Sequence, residues 1–166
     1  TVRPHTSVDF NDVPSLVQRV RECRSLPTSR LALEFLILTA SRTKEVLEAN
    51  WNEIDEAKNL WVLPAARTKT RYEHRVPLAR RTKEILSQEK LLSMGFELIF
   101  ESPTTSRALS YNTLLHLLQK RVGSTATVHG FRSSFKDWAS ETTNFPNEVS
   151  EMALSHKITS SVEAAY

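Results

Sequence analysis

The chain has 166 residues, 40% of them hydrophobic and 25% charged, with a formal net charge of +3. That length and apolar content suit one globular domain with its own core and argue against broad disorder. The single cysteine, Cys23, excludes an intrachain disulfide and a cysteine-based metal site, and no apolar run approaches bilayer-spanning length, so a reducing, cytoplasmic compartment is expected.

Residues 1–10 lack helical periodicity and read as a linker running in from something upstream. Asp12 and Pro14 supply start signals for a helix in which Val13, Leu16, Val17 and Val20 recur at helical spacing. After Pro27, the stretch Arg30 to Ala40 is apolar almost all round, which predicts a buried central helix. Lys44 to Asn50 makes a short third helix with Val46 and Leu47 facing inward. Trp51, Ile54, Leu60, Trp61, Val62, Val76 and Leu78 are strand-like, punctuated by a turn over 56–59 and a polar run from Ala66 to His74. They predict a small antiparallel sheet whose last turn projects Arg67, Lys69, Arg71, His74 and Arg75. Helix returns over 79–93, and Leu98 to Phe100 is a brief extended segment. Ser110 caps a helix carrying Leu114, Leu115, Leu117, Leu118 and Val122. Another helix opens around His129 and runs to about Glu141; Pro146 starts the next, which ends near Leu154. Ser160-Ser161-Val162-Glu163 fits a capping box that opens a helix bearing Tyr166. The expected fold class is α+β, predominantly helical with a small antiparallel β-sheet and no internal repeat.

Several polar residues carry two readings each. Arg42, at the break after the buried helix, is either a surface arginine or a guanidinium held rigidly towards an anion, with Glu45 one helical turn away to pair with it. Five potential cations, Arg67, Lys69, Arg71, His74 and Arg75, fall between 67 and 75. Charged hairpin tips are normally just solvated, yet this density suits a finger that tracks phosphates. His129 and Arg132, three apart at a helix start, share a face and can reach one phosphate, with backbone N–H groups and the helix dipole in support; the plainer reading is a capping histidine beside a surface arginine. His156 follows a helix end, where a histidine commonly meets terminal carbonyls, and Tyr166 alone suits a packing role.

Taken together these residues have a family likeness. Thr39 to Leu47 (Thr-Ala-Ser-Arg-Thr-Lys-Glu-Val-Leu) is followed by Trp51, Glu53-Ile54-Asp55, Trp61-Val62-Leu63-Pro64, Arg67-Thr68-Lys69 and Arg75-Val76-Pro77-Leu78. His129-Gly130-Phe131-Arg132, Leu154-Ser155-His156 and Val162-Glu163-Ala164-Ala165-Tyr166 complete the series. In this order and spacing the chain resembles, over essentially its full length, the catalytic domain of tyrosine recombinases, the phage-integrase family. The likeness is nearest to integrases of satellite prophages and pathogenicity islands.

The resemblance implies site-specific DNA recombination, the integration and excision of a mobile element, without metal or other cofactor. It makes Tyr166 the nucleophile that forms a 3′-phosphotyrosyl link and Arg42 and Arg132 the clamp on the non-bridging oxygens. Lys69 becomes the general acid for the departing 5′-oxygen, His129 an assistant in proton transfer, and His156 a hydrogen-bond partner of the phosphate. Glu45 supports the arginines, and Arg67, Arg71, His74 and Arg75 are the expected DNA contacts. The implied partners are double-stranded DNA attachment sites, three further copies in a synaptic homotetramer, and accessory DNA-bending or directionality proteins. Localisation would be the bacterial cytoplasm, on the nucleoid when bound to DNA. Relatives carry upstream DNA-binding domains and a short tail after the nucleophile, so residues 11–166 read as a catalytic domain truncated at Tyr166. Such a fragment is expected to be monomeric, to bind DNA weakly and salt-sensitively, and to recombine poorly or not at all. Two alternatives share much of the pattern: a catalytically silent DNA-binding module of the same fold, and a type IB topoisomerase-like enzyme that relaxes DNA.

Overall fold

The structure is a computed structural model and describes residues 6–93 and 95–156. Tyr166 and the capping box over 160–163 therefore lie outside the described residues.

Helix α1 (Val13–Glu22) starts with Pro14 in its first turn and buries Leu16, Val17 and Val20 along one stripe. Helix α2 (Pro27–Thr39) is buried on nearly all sides, as its composition predicts, and opens three residues earlier than its apolar run. Pro27 explains the early start, because a fixed φ and a missing N–H cost nothing at the first helical position. The helix ends where Ala40 adopts a left-handed backbone, φ 49°, which redirects the chain into α3 (Thr43–Leu47). That helix stops three residues short of the expected Asn50. Asn50 instead caps the next turn, its side chain accepting from the Asn52 N–H at 3.1 Å.

Trp51, read as strand-like, opens a 3₁₀ turn over Trp51–Glu53, so strand β1 is only Ile54–Asp55. It pairs antiparallel with β2 (Leu60–Leu63), which pairs antiparallel with β3 (His74–Pro77), in the order β1-β2-β3. Register sets Trp61 opposite Val76 and Leu63 opposite His74, so the period of two sends Trp61, Leu63 and Val76 inward. Helix α4 (Arg80–Leu92) packs on α2, and Leu98 makes a single bridge to Asn50. Ser110 does cap α5 (Tyr111–His116), its hydroxyl accepting from the Thr113 N–H, but this helix runs on into one π-helical turn over Leu117–Arg121. Helices α6 (Gly130–Thr142) and α7 (Asn147–Ala153) complete the described fold.

The core is a continuous cluster around Phe35, Trp61 and Phe100, whose rings meet at centroid distances of 5.3 and 5.4 Å. One buried carboxylate, Glu34 on α2, ties three helices by accepting from Arg21 of α1 and Arg81 of α4. Burial alone would push its carboxyl up, but those two guanidinia outweigh it and hold the group below the ordinary range. The segment before α1 also packs: Thr6 O accepts from the Thr127 N–H at 3.0 Å, and the Ser134 hydroxyl donates to Val8 O. Gly130 makes that approach possible, since a Cβ there would lie 2.3 Å from Thr6 O. Among the described residues no helix is long and apolar enough to cross a membrane.

Candidate active site

Arg42 is the N-cap residue of α3, and Glu45 holds it at both ends. One Glu45 oxygen accepts from the Arg42 backbone N–H at 2.9 Å, and the other from its Nη1 at 3.0 Å. Glu45 is 4% exposed, so this is a desolvated, charge-assisted pair. A second donor of the same guanidinium reaches Ser155 O at 3.2 Å, which ties α3 to the chain that leaves α7.

Arg132 sits one turn into α6 and is 5% exposed. Its Nη1 donates to Ala40 O, the carbonyl freed by the left-handed end of α2, and its Nη2 donates to Leu154 O, both at 2.6 Å. Burial first, and then the neighbouring Arg42, press its pKa down to about 10. Two guanidinia in one low-dielectric place, satisfied mainly by neutral carbonyls in the case of Arg132, form a site short of negative charge.

The Arg132 Nη2 also lies 3.0 Å from His156 Nε2. An arginine has no acceptor, so Nε2 accepts and the ring carries its proton on Nδ1, which meets Glu151 Oε2 at 2.6 Å. His129, on the last residue before α6, lies across the same opening, as does Lys69. Arg42, Lys69, Thr70, His129, Arg132, Ser155 and His156 together line one open cleft of about 430 Å³. Lys69 is exposed on a turn pinned from beneath by buried Thr68, whose hydroxyl donates to Tyr72 O at 2.7 Å. Thr70 completes the wall, with its hydroxyl 3.3 Å from that of Ser155.

Two of the expected DNA contacts do not project from the turn. Arg67 lies in a 3₁₀ turn with only 19% of its side chain exposed. Its Nε and Nη2 donate to the buried carboxylate of Glu53 at 2.6 and 2.9 Å, and Nη2 also reaches Glu45 O at 3.0 Å. It braces the floor under Arg42. His74 shares the face of Val76 on β3 and stands opposite buried Leu63, so it too turns inward. Burial pulls its pKa down, against an upward pull from Glu45, and Arg42 and Arg132 press it down further. Arg71 and Arg75 do face outward; Arg71 occupies a left-handed position at φ 64°, and Arg75 pairs with Glu73 at 2.8 Å.

Glu53 and Ser155 stand in the ordered motif, but their roles, and Glu151 altogether, escape a reading of the sequence. Glu53 anchors Arg67 and also accepts from the Trp61 indole N–H at 2.9 Å. Ser155, with φ 51°, aims its carbonyl at Arg42. Glu151 holds the His156 ring. The separation of five between Glu151 and His156 carries a signal only once the helix is known to end between them.

A mostly helical domain with this sheet and this cationic cleft is a tyrosine recombinase catalytic domain. The chain belongs to the phage integrase family, which it matches over residues 6–166. It is 33% identical over 162 residues to prophage integrase IntA of Escherichia coli (strain K12), covering 96% of this chain and 39% of that protein. It is 29% identical over 180 residues to the integrase of Enterobacteria phage P4, covering 99% of this chain and 41% of that protein. The chain thus spans about two fifths of the length of the curated relatives it matches. Its fold is similar to lambda integrase in a dimer bound to a COC' core site, with a TM-score of 0.72, 20% identity, and 99% of this chain and 49% of that one covered. The lambda integrase catalytic core alone aligns with a TM-score of 0.67 at 20% identity, over 92% of this chain and 96% of that one.

Proposed function

We propose that this domain performs site-specific DNA recombination for a mobile element, cutting and rejoining strands through a 3′-phosphotyrosyl intermediate on Tyr166. The observation that carries the proposal is the convergence of Arg42, Lys69, His129, Arg132 and His156, from four separate stretches of chain, on one cleft. Tyr166 lies outside the described residues and enters through its place in the family pattern.

In the proposed reaction the Tyr166 oxygen attacks phosphorus, and the bond from phosphorus to the 5′-oxygen breaks. Arg42 and Arg132 direct their remaining N–H groups to the non-bridging oxygens and stabilise the charge that grows there. Their positions are held beforehand by Glu45, Ala40 O and Leu154 O, so little reorganisation is left for the chemical step. Lys69 delivers a proton to the departing 5′-oxygen. His129 takes the tyrosine proton, which a free phenol with a pKa of about 10 does not release readily at neutral pH. The covalent ester stores the phosphodiester, so a 5′-hydroxyl from a partner strand reseals it without ATP. Arg71 and Arg75 track the backbone of the duplex attachment site, and four copies of the whole protein assemble around the exchange, with accessory DNA-bending or directionality proteins in control.

The test is a nicked suicide substrate carrying the element's junction sequence, incubated with the full-length protein and with its Tyr166→Phe variant. A denaturant-resistant adduct that vanishes with Phe is the expected result. Binding without any adduct identifies a silent DNA-binding module, and relaxation of plasmid lacking paired sites identifies a topoisomerase.

A further inference from the structure

Resting on that reading, we infer that Glu151 is a positioning residue for His156. It accepts the Nδ1 proton and keeps Nε2 turned into the cleft, where the scissile phosphate would meet it.

The geometry is a closed ring of side chains. Arg132 and Lys136 stand one turn apart on α6 and share a face. Lys136 Nζ lies 2.5 Å from Glu151 Oε1 on α7, Glu151 Oε2 lies 2.6 Å from His156 Nδ1, and His156 Nε2 returns to Arg132 Nη2 at 3.0 Å. Lys136 is itself fixed by Asn147 and by the Ser150 hydroxyl at 2.7 Å. Both oxygens of Glu151 are therefore committed, one to orient the carboxylate and one to orient the ring. The hydrogen bond from Lys136, and then that of His156, hold the Glu151 carboxyl below its ordinary range, so the group stays anionic at every working pH.

Valence does the rest. A carboxylate only accepts, so Nδ1 always carries a proton while it faces Glu151. In the empty cleft Nε2 accepts from Arg132. To donate to a phosphate oxygen, Nε2 must carry a proton of its own, which the buffered bulk solvent supplies. Arg132 and Lys136 from α6, Arg42 beside Ser155, and Lys69 across the cleft all oppose that extra positive charge. The phosphate and Glu151 favour it. Glu45 is already committed to Arg42, and His74 lies in the floor near both arginines. Glu151 is thus the carboxylate in direct contact with this ring.

The experiment measures single-turnover cleavage of the suicide substrate by full-length protein between pH 6 and 9, for wild type, Glu151→Gln, Glu151→Asp and Tyr166→Phe. Glu151→Gln is expected to slow cleavage by about tenfold or more at pH 8, as loss of a histidine-orienting carboxylate does elsewhere. Glu151→Asp keeps a carboxylate to accept from Nδ1 and is expected to recover most of that rate. A Gln variant that matches wild type at every pH, or an Asp variant as slow as Gln, overturns the inference while the recombinase reading stands. Wild type without a Tyr166-dependent adduct overturns both. Should the Gln variant fail to fold, ¹⁵N spectra of histidine-labelled wild type decide: Nδ1–H is expected for neutral His156, and Nε2–H refutes it.

Discussion

Replacing Glu89 by Gln offers a direct measure of how dry the packing between α2 and α4 is. Glu89 is 2% exposed; Oε2 accepts from the Thr28 hydroxyl at 2.8 Å, and Oε1 is buried without a hydrogen-bond partner. Burial raises its pKa to about 7 from an ordinary 4.5, against a weaker downward pull from Thr28. The folded state therefore holds the proton more tightly than the unfolded chain. This group's own contribution to stability is greatest below about pH 4.5, declines as pH rises to about 7, and then levels off. Across that window the loss amounts to as much as about 3 kcal/mol. Glutamine keeps an acceptor for Thr28 and cannot ionise. Relative to wild type, Glu89→Gln should thus gain up to about 3 kcal/mol between acidic pH and pH 8, or roughly 6–12 °C in Tm. Urea or thermal melts of both proteins in matched buffers from pH 4.5 to 8.5 read it, because all other titrations cancel in the difference. A constant offset would reflect packing alone. A difference that does not grow with pH refutes the claim that this carboxyl ionises in a desolvated place.

Arg67→Ala strands the buried Glu53 carboxylate and should cost about 3 kcal/mol of stability in a chemical melt. Arg75→Ala should leave stability nearly unchanged and lower the salt slope of DNA binding by about one, measured by anisotropy titrations at several salt concentrations. Gly130→Ala drives a Cβ into Thr6 O, so a loss of about 1–3 kcal/mol and faster amide exchange at Thr127 are expected. Glu45→Gln keeps hydrogen-bonding capacity and removes the charge that steadies Arg42; a cleavage rate down by about tenfold or more, with the fold intact by circular dichroism, is the expected result.

How far the sequence reached depended on the range of the interaction. The pairing of Arg42 with Glu45 was visible because three residues apart is one helical turn. The cap at Ser110 and the buried character of α2 were equally local. His74 was misplaced at the tip of the turn although the alternation His74, Val76, Leu78 already assigned it to the inner face; the density of charge around it outweighed the period of two. Arg67 had no such signal. Its partner Glu53 lies fourteen residues back, and only the folded sheet brings the two together.

Composition, periodicity and the ordered motif determined by themselves that this is a mostly helical domain with a small sheet, and singled out Arg42, Lys69, His129, Arg132 and His156, which line one cleft. Those are properties of spacing, and spacing is written along the chain. The tertiary structure alone decided which cations face outward and which brace the floor, because that depends on carboxylates brought in from distant segments. It also decided the state of the cleft: Ala40 O, Leu154 O and Ser155 O are ordinary backbone groups that no residue type announces. Only the left-handed turns at Ala40 and Ser155 aim them at Arg132 and Arg42, and that aim fixes the two guanidinia side by side.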